Sequence, residues 1–222
     1  MKKQALILCV ITAVSCIAMI LVDGILQPGY LIKSAIKLVF FLALPLLLAG
    51  KLGFSAAGFF RPDKKALLTG SLLGLATAAV IGIAYNLLGP YLDLSAVPAS
   101  IEKGAGVTKD NFLFVGTYIA VCNSILEEFF FRGFAFLSLS RATSRTFASI
   151  FSSAAFAIYH AGMLITMVPP LLFVLALIAL FLCGILFNLL DARQERIWPS
   201  WLVHMGANLA INAIGMHLLG ML

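Results

Sequence analysis

Seven apolar runs succeed one another along this 222-residue chain, at about 5–22, 31–50, 66–89, 111–136, 146–164, 168–190 and 198–220. Each is close to the ~20 residues that a helix needs to cross the hydrocarbon core of a bilayer. In lipid a backbone must satisfy its own hydrogen bonds, which leaves helices and closed barrels as spanning structures. Barrel strands alternate apolar and polar residues, whereas these runs are apolar all round. The expected fold class is therefore all-α: a polytopic transmembrane helical bundle of about seven spans, six to eight depending on where the boundaries fall. With 62% hydrophobic and 11% charged residues, the chain has more apolar surface than a water-soluble core can hide.

Charge supports the same reading. The formal net charge of +6 comes from basic residues scattered between the apolar runs, so it marks topology and not a nucleic-acid partner. Lys2 and Lys3 precede the first run. Lys51, Arg61, Lys64 and Lys65 follow the second, Arg141 and Arg145 the fourth, and Arg193 and Arg196 the sixth. The loops 23–30 and 165–167 carry no Lys or Arg. Basic loops stay on the cytoplasmic side, which gives a cytoplasmic N-terminus and an external C-terminus. Lys2-Lys3 before Ala5–Val14 resembles a signal-peptide start, but the apolar run continues to Val22, which suits an uncleaved first span. Pro169-Pro170 suggests a bent or re-entrant element. Pro90–Asp110, with Pro98, Gly104 and Gly106, reads as a loop that could include a short interfacial helix. Cys9, Cys16, Cys122 and Cys183 all lie in apolar runs without CxxC spacing, so neither disulfides nor a zinc knuckle is indicated.

Against this background the polar residues inside the spans stand out. Glu127 and Glu128 lie in the fourth run, in Ile125-Leu-Glu-Glu-Phe-Phe-Phe-Arg132-Gly133. An acid at mid-helix costs about 2.5–3.5 kcal/mol on insertion scales, so two of them imply a use. Neighbours on a helix are ~100° apart. Glu128 and Arg132, four apart, share a face and can neutralise each other, while Glu127 points elsewhere and is a candidate general base. Alternatively, all three form a structural ion cluster at the cytoplasmic boundary. His160 lies in the fifth run, one turn after Phe156, which could shape its orientation; it could equally be a hydrogen-bonded packing residue. His204 and Asn208 lie one turn apart in the last run, with Asn212 continuing the stripe. Alone, such a stripe could simply glue helices together. Together, the economical arrangement gathers Glu127, His160, His204 and Asn208 in one cavity, where they can position a water, accept its proton and stabilise an oxyanion.

These residues carry a family resemblance. Glu127-Glu128-x-x-x-Arg132, Phe156-x-x-x-His160 and His204-x-x-x-Asn208, in that order, resemble the motifs of the CPBP family of CAAX proteases and bacteriocin-processing (Abi-type) enzymes. The similarity covers about 111–212. It implies a catalytic core over 111–222 and N-terminal scaffold helices over 1–110. By that resemblance Glu127 and His160 activate water, His204 and Asn208 form the oxyanion site, and Glu128 and Arg132 complete the catalytic set. One departure is Asn188, which stands where family members often place a small residue four after a glycine, here Gly184.

The expected function is an intramembrane endopeptidase acting on a membrane-associated protein or peptide at the lipid bilayer, in a bacterial cell membrane. No cofactor is expected. The alternative is a zinc metalloprotease using Glu127, His160 and His204 as ligands, although HExxH is absent. A non-catalytic membrane scaffold or bacteriocin-immunity protein is a second alternative. A proton-coupled transporter is a third, for which inverted repeats would be expected and none is seen.

Overall fold

The computed structural model describes residues 2–91, 94, 97–99, 107–165 and 168–222, and among these there is no strand. The helices are α1 (Lys3–Leu26), α2 (Tyr30–Leu52), the short α3 (Ala56–Phe59), α4 (Lys64–Tyr91), α5 (Phe112–Ala142), α6 (Arg145–Leu164), α7 (Pro170–Ala192) and α8 (Trp198–Leu218). The all-α polytopic bundle is thus what the chain forms. Six of these helices are long and apolar enough to cross a membrane. The seventh expected span is α8, which is of spanning length at 21 residues but less apolar, because it carries His204, Asn208, Asn212 and His217. The proposed interfacial helix within Pro90–Asp110 falls mostly outside the described residues.

Local chemistry sets the helix ends. Asp63 caps α4, its Oδ1 accepting from the Ala66 amide at 2.7 Å, and the Ser144 hydroxyl accepts from the Phe147 amide at 3.2 Å to start α6. Gly53 closes α2 in a left-handed conformation at φ 66°. Pro170 occupies the first turn of α7, where its missing amide hydrogen costs nothing. It therefore begins a separate helix and does not bend one. α7 combines high apolarity with the least burial among the six spans, whereas α5 is the least apolar of them and the most buried. Exposed Leu171, Val174, Leu175, Ile178, Leu182, Leu186 and Leu189 give α7 a lipid-facing surface.

Two stretches of α5, Ile119–Asn123 and Phe129–Ser138, are π-helical, with wide turns closed by bonds to the fifth residue back. Such turns are rare and concentrate at functional sites. Glu127 and Glu128 lie between them, in Ser124–Glu128.

The chain forms two compact units, and the boundary between them falls inside α5. The first comprises Met1–Arg61 and Leu126–Ile197; the second comprises Pro62–Ile125 and Trp198–Leu222. Each unit therefore draws on both sides of residue 110.

In the first unit all ten residues of Phe129–Ser138 are buried. Phe41 stacks on Phe130 with ring centroids 4.1 Å apart and meets Phe131 and Tyr159 edge-on or tilted at 5.4 and 5.2 Å. Small residues bring neighbouring helices close. A Cβ on Gly162 would lie 2.8 Å from the Ile20 carbonyl oxygen of α1, and one on Gly184 would lie 2.8 Å from the Ser153 Cβ. α6 is thus clamped between α1 and α7. Asn188 adds to the second contact. Its side-chain amide donates to the Ser149 carbonyl at 3.2 Å and to the Ser153 hydroxyl at 3.1 Å. The residue that departs from the small-residue pattern therefore ties the two helices by hydrogen bonds.

The second unit is built on α4 against α8. A Cβ on Gly74 would sit 2.5 Å from the Leu202 carbonyl oxygen, and one on Gly206 would sit 2.4 Å from that of Gly74. Gly70-x-x-x-Gly74 is a GxxxG pattern serving this contact.

Candidate active site

Glu127 is 3% exposed and lies at the centre of a polar cluster in the first unit. Its Oε1 is 2.9 Å from the Lys37 ammonium and accepts a hydrogen bond from the Tyr159 hydroxyl at 3.1 Å. Its Oε2 lies 3.8 Å from His160 Nε2. Lys37 comes from α2, Glu127 from α5, and Tyr159 and His160 from α6. Glu127 was expected to point away from the Glu128–Arg132 face; there it meets a cation of its own, Lys37.

The orientation of His160 is fixed by its surroundings. Its Nδ1 lies 2.8 Å from the Phe156 carbonyl oxygen. A carbonyl only accepts, so Nδ1 carries a proton and donates it. The imidazole also meets the Phe156 and Tyr159 rings edge-on, at centroid distances of 4.6 and 4.7 Å. Phe156 therefore orients His160 through both its ring and its backbone. In the neutral ring, the unprotonated Nε2 then faces Glu127 Oε2. Two acceptors cannot hydrogen-bond each other, but they can share a water that donates one O–H to each.

Glu128 and Arg132 pair as the i,i+4 spacing predicts, with Arg132 Nε 2.9 Å from Glu128 Oε2 and both residues fully buried. The contact is a close ion pair without hydrogen-bond alignment. The Arg132 guanidinium packs against aromatic rings, 4.4 Å from the Phe156 centroid, 5.2 Å from Phe187 and 6.0 Å from Phe131. It is buried inside the protein and does not reach an interface. Phe156 touches both Arg132 and His160, and so links the ion pair to the histidine.

His204 and Asn208 belong to the second unit, so the structure groups Glu127, Glu128, Arg132 and His160 in one unit and His204 with Asn208 in the other. On α8 the Asn208 side-chain amide donates to the Ile119 carbonyl at 3.4 Å and that of Asn212 to the Gly116 carbonyl at 2.8 Å. Trp201 Nε1 donates to the Ser124 hydroxyl at 3.0 Å. The polar stripe of α8 thus binds α5 at and near its first π-helical stretch. A carboxamide nitrogen has two hydrogens, so Asn208 keeps a second donor beyond the one that holds α5.

Residues 109–210 match the family model of Rce1-like type II CAAX prenyl endopeptidases. This region is a CAAX protease (CPBP) family domain. It takes in all three motifs, from Glu127 to Asn208. The protein is thus an integral membrane protein that carries a CAAX protease-type domain over somewhat less than half of its length. No curated protein and no solved structure matches the chain.

Lys37 lies outside the CAAX protease region, and sequence reasoning passed over it. The signal was present. Lys33 and Lys37 are one turn apart inside an apolar span, and cations at such positions need partners. Lys33 has Asp23, at 2.7 Å, and Lys37 has Glu127.

Proposed function

We propose that the chain is an intramembrane endopeptidase that hydrolyses a peptide bond in a membrane-associated protein or peptide, with Glu127 as general base. The supporting observation is the facing pair of Glu127 Oε2 and His160 Nε2, 3.8 Å apart, with the other side of each group already committed. A water held between them loses a proton to Glu127 as its oxygen attacks the scissile carbonyl carbon. His204 and the second Asn208 N–H stabilise the resulting oxyanion; the support for these roles is the matched region, which contains both residues. Collapse of the tetrahedral intermediate breaks the C–N bond, and the proton passes to the leaving amine. The products are a new carboxylate and a new amine. Glu128 and Arg132 hold the helix segment that carries the base.

No cofactor enters this mechanism. The zinc alternative would take Glu127, His160 and His204 as its three protein ligands. The Lys37 ammonium, 2.9 Å from Glu127 Oε1, would repel a dication bound to that carboxylate. Residues 1–110 supply scaffold helices and 111–222 the catalytic core, in a bacterial membrane with the N-terminus cytoplasmic.

A non-catalytic scaffold is the second reading, favoured by the Lys37–Glu127 ion pair, because a buried pair can be purely structural. A cleavage assay separates the two. The protein is purified, reconstituted in liposomes and given a quenched fluorescent peptide with a prenylated CAAX-type C-terminus. Turnover that is lost in His160→Gln supports the endopeptidase. No turnover in parent or variant supports the scaffold, and equal turnover in both removes His160 from the reaction.

A further inference from the structure

We propose that Lys37 is a positioning residue for the catalytic base, supplied to the CAAX protease domain by a helix outside it. This rests on the reading of Glu127 as that base. Lys37 is 4% exposed and its Nζ is 2.9 Å from Glu127 Oε1. Tyr159 donates to the same oxygen at 3.1 Å, whereas Oε2 faces His160. The two oxygens therefore have different work. Oε1 is the anchor, held by two donors from two helices, and Oε2 is the oxygen that meets the water. A carboxylate gripped at one oxygen cannot rotate about its last bond, so Oε2 stays on His160.

Lys37 is itself fixed. Its ammonium lies 5.1 Å from the Tyr159 ring centroid and 5.9 Å from that of Phe41. Tyr159 thus contacts the base through its hydroxyl and the counter-ion through its ring. The ammonium also balances the carboxylate's charge within the buried site. Glu128 and Arg132 already balance each other, so Lys37 is the cation that serves Glu127.

The test is steady-state kinetics in liposomes on the prenylated CAAX-type quenched peptide, with thermal unfolding of every variant. Lys37→Met, which keeps length and removes charge, should lower kcat by about 10²-fold, the scale of a misplaced catalytic group, and leave KM within about twofold. Lys37→Arg, which restores charge and donors, should recover kcat to within about tenfold of the parent, short of full rescue because the planar fork grips a carboxylate differently. A purely structural lysine would lower the amount of folded protein without this split between kcat and KM. Parent-like kcat in folded Lys37→Met, beside an inactive Glu127→Gln, overturns the positioning role alone. Retained activity in Glu127→Gln overturns the base assignment, and this inference with it. If Lys37→Met does not fold, Lys37→Gln carries the test, since it stays polar but is shorter and uncharged and so releases Oε1. A kcat unchanged by that substitution overturns the proposal; a loss of about tenfold or more in kcat alone supports it.

Discussion

Glu128→Gln and Arg132→Met should both destabilise the protein, by different amounts and for separable reasons. Both side chains are fully buried and pair at 2.9 Å. Removing one partner of such a pair costs about 3–5 kcal/mol, because the other charge is left buried. Arg132 rests on Phe156, Phe187 and Phe131, and these contacts survive in Glu128→Gln. Each cation–π contact can retain about 0.5–2 kcal/mol, which places Glu128→Gln near the low end, at about 3 kcal/mol. Arg132→Met loses the ring contacts as well and strands a carboxylate, which places it near about 5 kcal/mol. Against a typical total of about 5–15 kcal/mol, either loss is a large fraction. At roughly 2–4 °C per kcal/mol for a chain of this size, Glu128→Gln should lower Tm by about 6–12 °C. The double variant should be more stable than Arg132→Met alone, because it leaves no unpaired charge. Thermal unfolding of the four proteins in one detergent, followed by circular dichroism, gives the cycle. Single variants within about 0.5 kcal/mol of the parent, or a strictly additive double variant, would overturn this. The ion pair would then contribute nothing to stability.

Two further outcomes follow from the same geometry. Gly162→Val should separate α1 from α6, because the new Cβ meets the Ile20 backbone at 2.8–2.9 Å and backbone cannot yield as a side chain can. The expected cost is about 1–3 kcal/mol, with kcat reduced through the displaced His160, as read by unfolding and turnover on the same preparation. Exhaustive chelation should leave turnover unchanged and elemental analysis should find no stoichiometric zinc; activity lost on chelation and restored by zinc would replace water activation by Glu127 with metal chemistry.

How much of this was legible in the sequence depends on whether the determinant is local. Span lengths, the Glu128–Arg132 pair and the approach of Phe156 to His160 are contacts within one helix, so they follow from apolar run length and i,i+4 spacing. The GxxxG of α4 is equally local, and pattern reading could have found it. Lys37 was not legible as the partner of Glu127. The residues are 90 apart in sequence, and nothing in either segment specifies which helices become neighbours. The π-helical stretches of α5 were also missed. Phe129–Phe131 reads like any apolar helix, and a wide turn reflects what packs around it. Asn188 looked like a defect in a small-residue pattern. Only the packed structure gives it its partners Ser149 and Ser153, which lie on another helix.

Whether Glu127 does chemistry or merely pairs with Lys37 decides between an enzyme and a scaffold. Glu127→Gln alone tests this poorly, because it strands the buried Lys37 ammonium and lowers stability. The double variant Glu127→Gln with Lys37→Met removes both charges and keeps both shapes. The decisive measurement is its turnover of the prenylated CAAX-type peptide in liposomes, beside its thermal unfolding. The expected result is stability closer to the parent than either single variant shows, together with no detectable cleavage. Cleavage at the parental rate by the folded double variant would contradict it.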